Sequence, residues 1–199
     1  MNLNKFGVLI GIGALIVIVI IGLVLTGFYP IAFVGIKPIT WHNFKENSAA
    51  AYHYYKMTLQ TYGGSQEDLN KPENIQEINR AVLDKLIENE IIFKSLNSIP
   101  KANEIVRNKI EQALKQAINP KDNIKEAVNT LYGLTVDEFT KLVLVPQARK
   151  EVLEGRLFLE NSSNSNGFDE WLKKAKKDVK VLILLNDFKW DGEKVVLKK

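Results

Sequence analysis

From Phe6 to Tyr29 the chain runs for 24 residues without a single charge, "FGVLIGIGALIVIVIIGLVLTGFY". As an α-helix, at about 1.5 Å per residue, such a run reaches about 36 Å, enough to cross a hydrocarbon core of roughly 30 Å. A cleaved export signal is the competing reading, but its apolar core spans only about 7 to 15 residues and ends in a small-x-small site. This run is longer, and "LVLTGFYP" offers no Ala-x-Ala equivalent. There is no Cys to carry a lipid anchor. The sequence therefore predicts a short cytoplasmic tail (1–5), a single transmembrane helix (6–29) and one domain (30–199). Lys5 and the amino terminus precede the run, so the N-terminus is expected in the cytoplasm and the domain outside it. That bias is thin, because 26 of the 27 Lys and Arg, and all 23 Asp and Glu, come after the run.

The rest of the chain reads as mainly helical with a little sheet. "PIAFVGIKPIT" alternates apolar residues around Gly35-Ile36, which predicts two short strands, 31–34 and 37–39, joined by a type II′ turn. Thr40 then caps a helix whose stripe is Phe44, Ser48, Ala51, Tyr55, Leu59 and Tyr62. A second helix, about 72–96, carries so wide a stripe (Ile75, Ile78, Val82, Leu86 and Phe93, with Leu83, Ile87 and Ile91 beside it) that burial on more than one side is expected. A third follows Pro100 and ends near "INP", and a short fourth covers 122–132. In "GLTVDEF", Gly133 closes that helix, while Thr135 and Glu138 form a capping box opening a fifth, to about residue 160. Pro146 lies inside it and removes an amide donor, so a bend is expected there. After the polar stretch "NSSNSNG" (161–167) come a sixth helix around Phe168, Trp171, Leu172 and Ala175, a strand in "VKVLILL", and a hairpin with a two-residue turn at Asp191-Gly192. Strands at both ends of a helical block can pair, which would close the domain.

Catalytic chemistry is hard to find. The two histidines, His42 and His53, stand eleven residues apart, about 16 Å along one helix, too far to share a metal or act as a pair. Without Cys there is no thiolate nucleophile, and no P-loop, G-x-S-x-G elbow or dinucleotide fingerprint occurs outside the apolar run. Asp137-Glu138 and Asp169-Glu170 open helices, where the dipole accounts for them. "KKAKK" (173–177) reads as a solvated helix face, with anionic headgroups or wall polymers as the alternative, and not as a nucleic-acid site. Neither cofactor nor metal is expected. Of the tyrosines, Tyr55 and Tyr62 share the apolar stripe, whereas Tyr52 and Tyr54 could face a groove and hold peptide.

Several motifs, in this order, resemble the chaperone domain of the SurA/PpiD/PrsA group of exported foldases, the trigger-factor/SurA peptide-binding domain. "AFVGIKPITWHNF" is similar to that domain's opening, with Val34, Ile39, Thr40 and Phe44 in place, although Gly35-Ile36 stands where the family usually has Asn-Gly. "AVLDKLIENEIIFKSL" (81–96), "GLTVDEFTKLVLVPQARKEVLEGRL" (133–157) and "FDEWLKKAKKDVKVLIL" (168–184) resemble its later helices and returning strand. In relatives with a parvulin prolyl isomerase domain, that domain is inserted between the long fifth helix and the returning helix. Here the slot holds seven residues, so the resemblance implies the chaperone half without the isomerase, in a bacterial cell-envelope setting.

The expectation is a membrane-anchored, extracytoplasmic, non-enzymatic chaperone-like protein that binds unfolded or newly exported polypeptides. Tyr52, Tyr54, Ile91, Ile92, Phe93 and the concave side of the helix bent at Pro146 are the expected peptide-binding surface. An accessory subunit docked on a translocase or envelope complex is the alternative, using the same surface for one partner.

Overall fold

In the computed structural model, residues 22–117, 124–160 and 167–198 are described. Most of the expected anchor, all of the link 118–123 and loop residues 161–166 lie outside them. Among the described residues no helix is long and apolar enough to cross a membrane. They form a mainly helical domain with a few short strands.

Alternation in the first segment produces β1 (Pro30–Val34) and β2 (Lys37–Thr40), paired antiparallel. Gly35 takes φ +63° while Ile36 does not go positive, the pattern of a type II′ turn. On its other edge β1 pairs antiparallel with β3 (Val181–Ile183), giving the order β2-β1-β3. The N- and C-terminal parts of the domain are thereby joined through Ile31, Ala32 and Val34, all buried. β4 (Phe188–Trp190) and β5 (Val195–Leu197) form a separate hairpin. Its loop has four residues, not the two expected at Asp191-Gly192, since Trp190 pairs with Val195. The cause is the Asp191 carboxylate, whose Oδ1 accepts from the amides of both Glu193 and Lys194 at 2.8 Å and rounds the loop into an Asx turn.

Helix α1 (Trp41–Thr61) starts at Thr40, whose hydroxyl accepts from Asn43 N. A four-residue turn, α2 (Gln66–Leu69), leads into α3 (Pro72–Leu96), which begins at a proline that needs no amide partner there. α3 is the axis of the domain. Its Val82, Leu83, Leu86, Ile87 and Ile91 pack with the sheet, Phe44, Phe188 and Val195. Its far end turns Ile92 and Leu96 into a second cluster with Ala102 and Val106 of α4 (Ala102–Ala117) and Ala148, Val152, Leu153 and Leu157 of the last long helix. Burial on more than one side is thus what its wide stripe encodes. A third, small cluster holds Ala50, Val128 of α5 (Ile124–Tyr132) and Leu134.

The capping box is formed: Thr135 Oγ1 accepts from Glu138 N at 3.2 Å and Glu138 Oε2 accepts from Thr135 N at 2.8 Å. It starts α6 (Val136–Phe139), which continues through a π-helical turn (Thr140–Leu144) into α7 (Val145–Glu160). The π turn is how the chain accommodates Pro146. A proline ring collides with the carbonyl four residues back and leaves it without a donor. Widening the preceding turn by one residue, with Val145 N donating to Thr140 O, moves the hydrogen-bond ladder past that defect. α8 (Gly167–Asp178) packs back on α7, with Phe168 and Trp171 against the cluster that contains Leu157.

Candidate binding groove

The groove forms where α1, α3, α5 and the π turn converge. α1 is wedged between two clusters, with Phe44 and Ala51 facing the sheet side and Ala50 facing α5. The next turn of α1 lies beyond both clusters, and it carries Tyr54 and Tyr55. Tyr54 stacks on Tyr132 with centroids 5.2 Å apart and meets Tyr55 edge-on. Tyr132 is seated in turn against Phe139. These rings wall an open cavity of about 260 Å³ whose floor is Ala50, Ala51, Val82 and Leu86, closed on the far side by Leu142 and Val143. Leu142 and Val143 belong to the π turn, so the same device that absorbs Pro146 shapes this wall.

Asn47, Leu86 and Leu142 also line an adjoining cavity of about 300 Å³, so the two form one trough. The second half is polar, with Glu90, Asn89 and Arg149 on its walls and Phe28 and His42 at its end. Arg149 lies 4.2 Å above the Phe93 ring, which fixes its guanidinium. Burial lowers its pKa, with Glu90 pulling the other way. Burial also pushes the Glu90 carboxyl above the usual carboxylate range, against the pull of Lys37 and Arg149. Among the described residues, no side-chain hydrogen bond or ion pair joins Glu90 and Arg149 to each other or to a third group. A half-buried acceptor and a half-buried donor set, neither engaged in a side-chain hydrogen bond, thus face one open space.

The residues expected at the site fare unequally. Tyr54 and Pro146 line the trough, at its apolar and polar ends. Phe93 acts from beneath, as the platform of Arg149. Tyr52 turns away and donates its hydroxyl to Asn70 Oδ1. Ile91 and Ile92 must be corrected: they are 4% and 1% exposed, belong to two core clusters and do not line the trough, Ile91 touching only a separate depression between α3 and α8. As neighbours in α3 they point about 100° apart, into the two different clusters that the helix joins. Tyr55 and Tyr62 are not core, as the stripe suggested, but exposed, because α1 outruns the clusters that cover its first half. Tyr132, Leu142 and Val143 were missed. Their signal was present in the short amphipathic fourth helix and in the apolar run before Pro146, but only the fold brings them beside Tyr54.

Both histidines have structural partners. His53 Nε2 donates to Thr130 O at 2.9 Å, tying α1 to α5, and His42 lies 3.1 Å from Glu46 and against Phe28. Among the described residues no group of three or more His, Cys, Asp or Glu is placed to hold a metal ion. No family model, curated protein or solved structure matches this chain.

Proposed function

We propose that the chain is a membrane-anchored, extracytoplasmic chaperone-like protein that holds unfolded or newly exported polypeptides in the trough, without prolyl isomerase activity. The observation that carries this reading is the double character of the trough. Its apolar half, walled by Tyr54 and Tyr132, accepts an apolar side chain by burial, at about 25 cal/mol per Å². Its polar half offers a carboxylate and a guanidinium whose hydrogen-bonding atoms are not taken up by other side chains, which suit the amide N–H and C=O that every peptide carries. Burying a side chain of any apolar shape while satisfying its backbone favours unfolded chains over folded ones. The helix order and the short slot at 161–167 support the family reading, and neither His53 nor His42 is free to serve an isomerase.

The test is suppression of aggregation of a denatured model protein by the detergent-solubilised full chain, at ratios up to equimolar. Wild type should slow aggregation, and Tyr54→Ser with Arg149→Gln should lose most of that effect while melting normally. Equal protection by the double variant would remove the trough from the mechanism. No protection by wild type, with stoichiometric recovery of one membrane partner, would favour the accessory-subunit reading.

A further inference from the structure

The exit from the apolar run is built as a rigid joint. Residues 22–26 are helical, and Gly27, at φ +72°, ends that helix: Gly27 N donates to Val24 O at 3.3 Å and Phe28 N to Leu23 O at 3.0 Å, the paired bonds of a Schellman motif. The next acceptors serve the domain. Gly27 O accepts from His42 N at 2.8 Å and Tyr29 O from Trp41 N at 3.0 Å, while Thr40 Oγ1 takes Asn43 N. The first three amides of α1, which normally lack helical partners, are thus capped largely by the segment leaving the apolar run. A Cβ on Gly27 would meet Trp41 Cδ1 at 3.3 Å and His42 N at 3.5 Å, so the approach as well as the backbone angle calls for glycine. Only Gly27, Phe28 and Tyr29 lie between this helix and β1, and the carbonyls of Gly27 and Tyr29 are both held by α1, which leaves no free stretch to act as a tether.

The face around this joint is apolar and open. Leu25 is 81% exposed, and Val24 and Phe28 are more than half exposed. Tyr29 and Trp41 stack beside them, half-buried, with centroids 6.3 Å apart and planes 11° from parallel. Lys45 follows Trp41 by one helical turn and lines the same shallow depression, which also contains Val24, Leu25 and Tyr29. Amphipathic aromatic rings beside a Lys at the end of an apolar segment match the water–lipid boundary, where Trp and Tyr concentrate and Lys reaches the headgroups. In the sequence the uncharged run extends from this segment back to Phe6, long enough to span a hydrocarbon core, and that continuity points to the bilayer as the occupant.

We infer that the domain does not swing on a tether but is seated on the bilayer by Phe28, Tyr29 and Trp41, with the polar end of the trough opening at the membrane surface. This rests on the membrane-anchored reading above. The second clause follows from residues shared between the two places: Phe28 and His42, at the joint, also close the polar half of the trough. A polypeptide emerging through the membrane beside the anchor would meet Glu90 and Arg149 before the tyrosine wall.

The experiment uses the full chain reconstituted into phosphatidylcholine–phosphatidylglycerol vesicles, with and without brominated acyl chains, which quench only tryptophans near lipid. Flotation and resistance to alkaline extraction report the anchor separately. Of the three tryptophans, Trp41 should carry the quenching, so Trp41→Phe should abolish it and Trp190→Phe should leave it intact. A flexible Gly/Ser insertion between Thr26 and Gly27 should keep flotation and lose most of the quenching. A chain that floats but shows no quenching assigned to Trp41 overturns the seating while sparing the anchor. Quenching that survives the insertion overturns the rigid joint. A chain that neither floats nor resists extraction removes both readings.

Discussion

Gly133→Ala should destabilise the domain through two separable effects, and His53 decides how large the second is. Gly133 follows α5 at φ +67°, its amide donating to Asn129 O at 2.8 Å. A non-glycine residue in this left-handed region costs about 1–2 kcal/mol. The new Cβ would also lie 3.0 Å from His53 Nδ1 and 3.1 Å from its Cγ, closer than an ordinary contact. The ring cannot retreat freely, because its Nε2 is held by Thr130 O at 2.9 Å. Weakening that bond adds about 0.5–1.5 kcal/mol, for a total of about 1.5–3.5 kcal/mol. At roughly 2–4 °C per kcal/mol for a domain of this size, the melting temperature should fall by about 3–14 °C. In a His53→Ala background the collision is absent, and the glycine substitution should cost only the backbone part. The check is a double-mutant cycle by circular-dichroism melts of the full chain in detergent, with a coupling of about 1 kcal/mol expected. Equal costs in both backgrounds would show that the Gly133–His53 contact does not constrain the α1–α5 junction, and with it the placing of Tyr132 on Tyr54.

The other predictions use the same junction and the trough. Thr135→Ala removes one half of the capping box and should cost about 1 kcal/mol in the same melts, whereas Thr135→Ser should retain most of the stability; an unchanged Ala variant would mean that water replaces the cap. Glu90→Gln should stabilise the domain at neutral pH, since a carboxyl whose folded pKa is raised by burial is a liability once ionised and ceases to be one as falling pH protonates it. The gap between Glu90→Gln and wild type should therefore shrink on acidification, and a gap that widens would place the carboxylate in a favourable bond.

The parts of the fold legible in the sequence are those set by neighbours along the chain. Thr40 and the Thr135–Glu138 pair cap their helices because the groups that satisfy each other are three residues apart. The turn at Gly35-Ile36 needs only a glycine at its first position and a register that buries Ile31 and Val34. Where a side chain adds a competing local bond, the reading slips. Asp-Gly announced a two-residue turn, yet the Asp191 carboxylate captured two amides and lengthened it. Pro146 announced a lost donor correctly, but whether the helix would bend or widen depends on what the wider turn can pack against.

The trough was legible only in pieces, because periodicity shows that a face is apolar and not whether a neighbour covers it. Ile91 and Ile92 share their helix with Val82 and Leu86, and all four are equally apolar in sequence. α7 and the sheet cover the first two, while the space beside Val82 and Leu86 stays open because α1 presents alanines, Ala50 and Ala51, at that level. Small residues let two helices lie close, and the bulky rings of Tyr54 and Tyr55 one turn later hold the space ajar. The groove is thus a mismatch in side-chain size between consecutive turns of α1. Its far wall is supplied by Leu142 and Val143 some ninety residues away, in a turn widened to pass a proline. A helix without Pro146 would keep its regular spacing there, so the residue that most disturbs the fifth helix is also the one that sets the wall of the site.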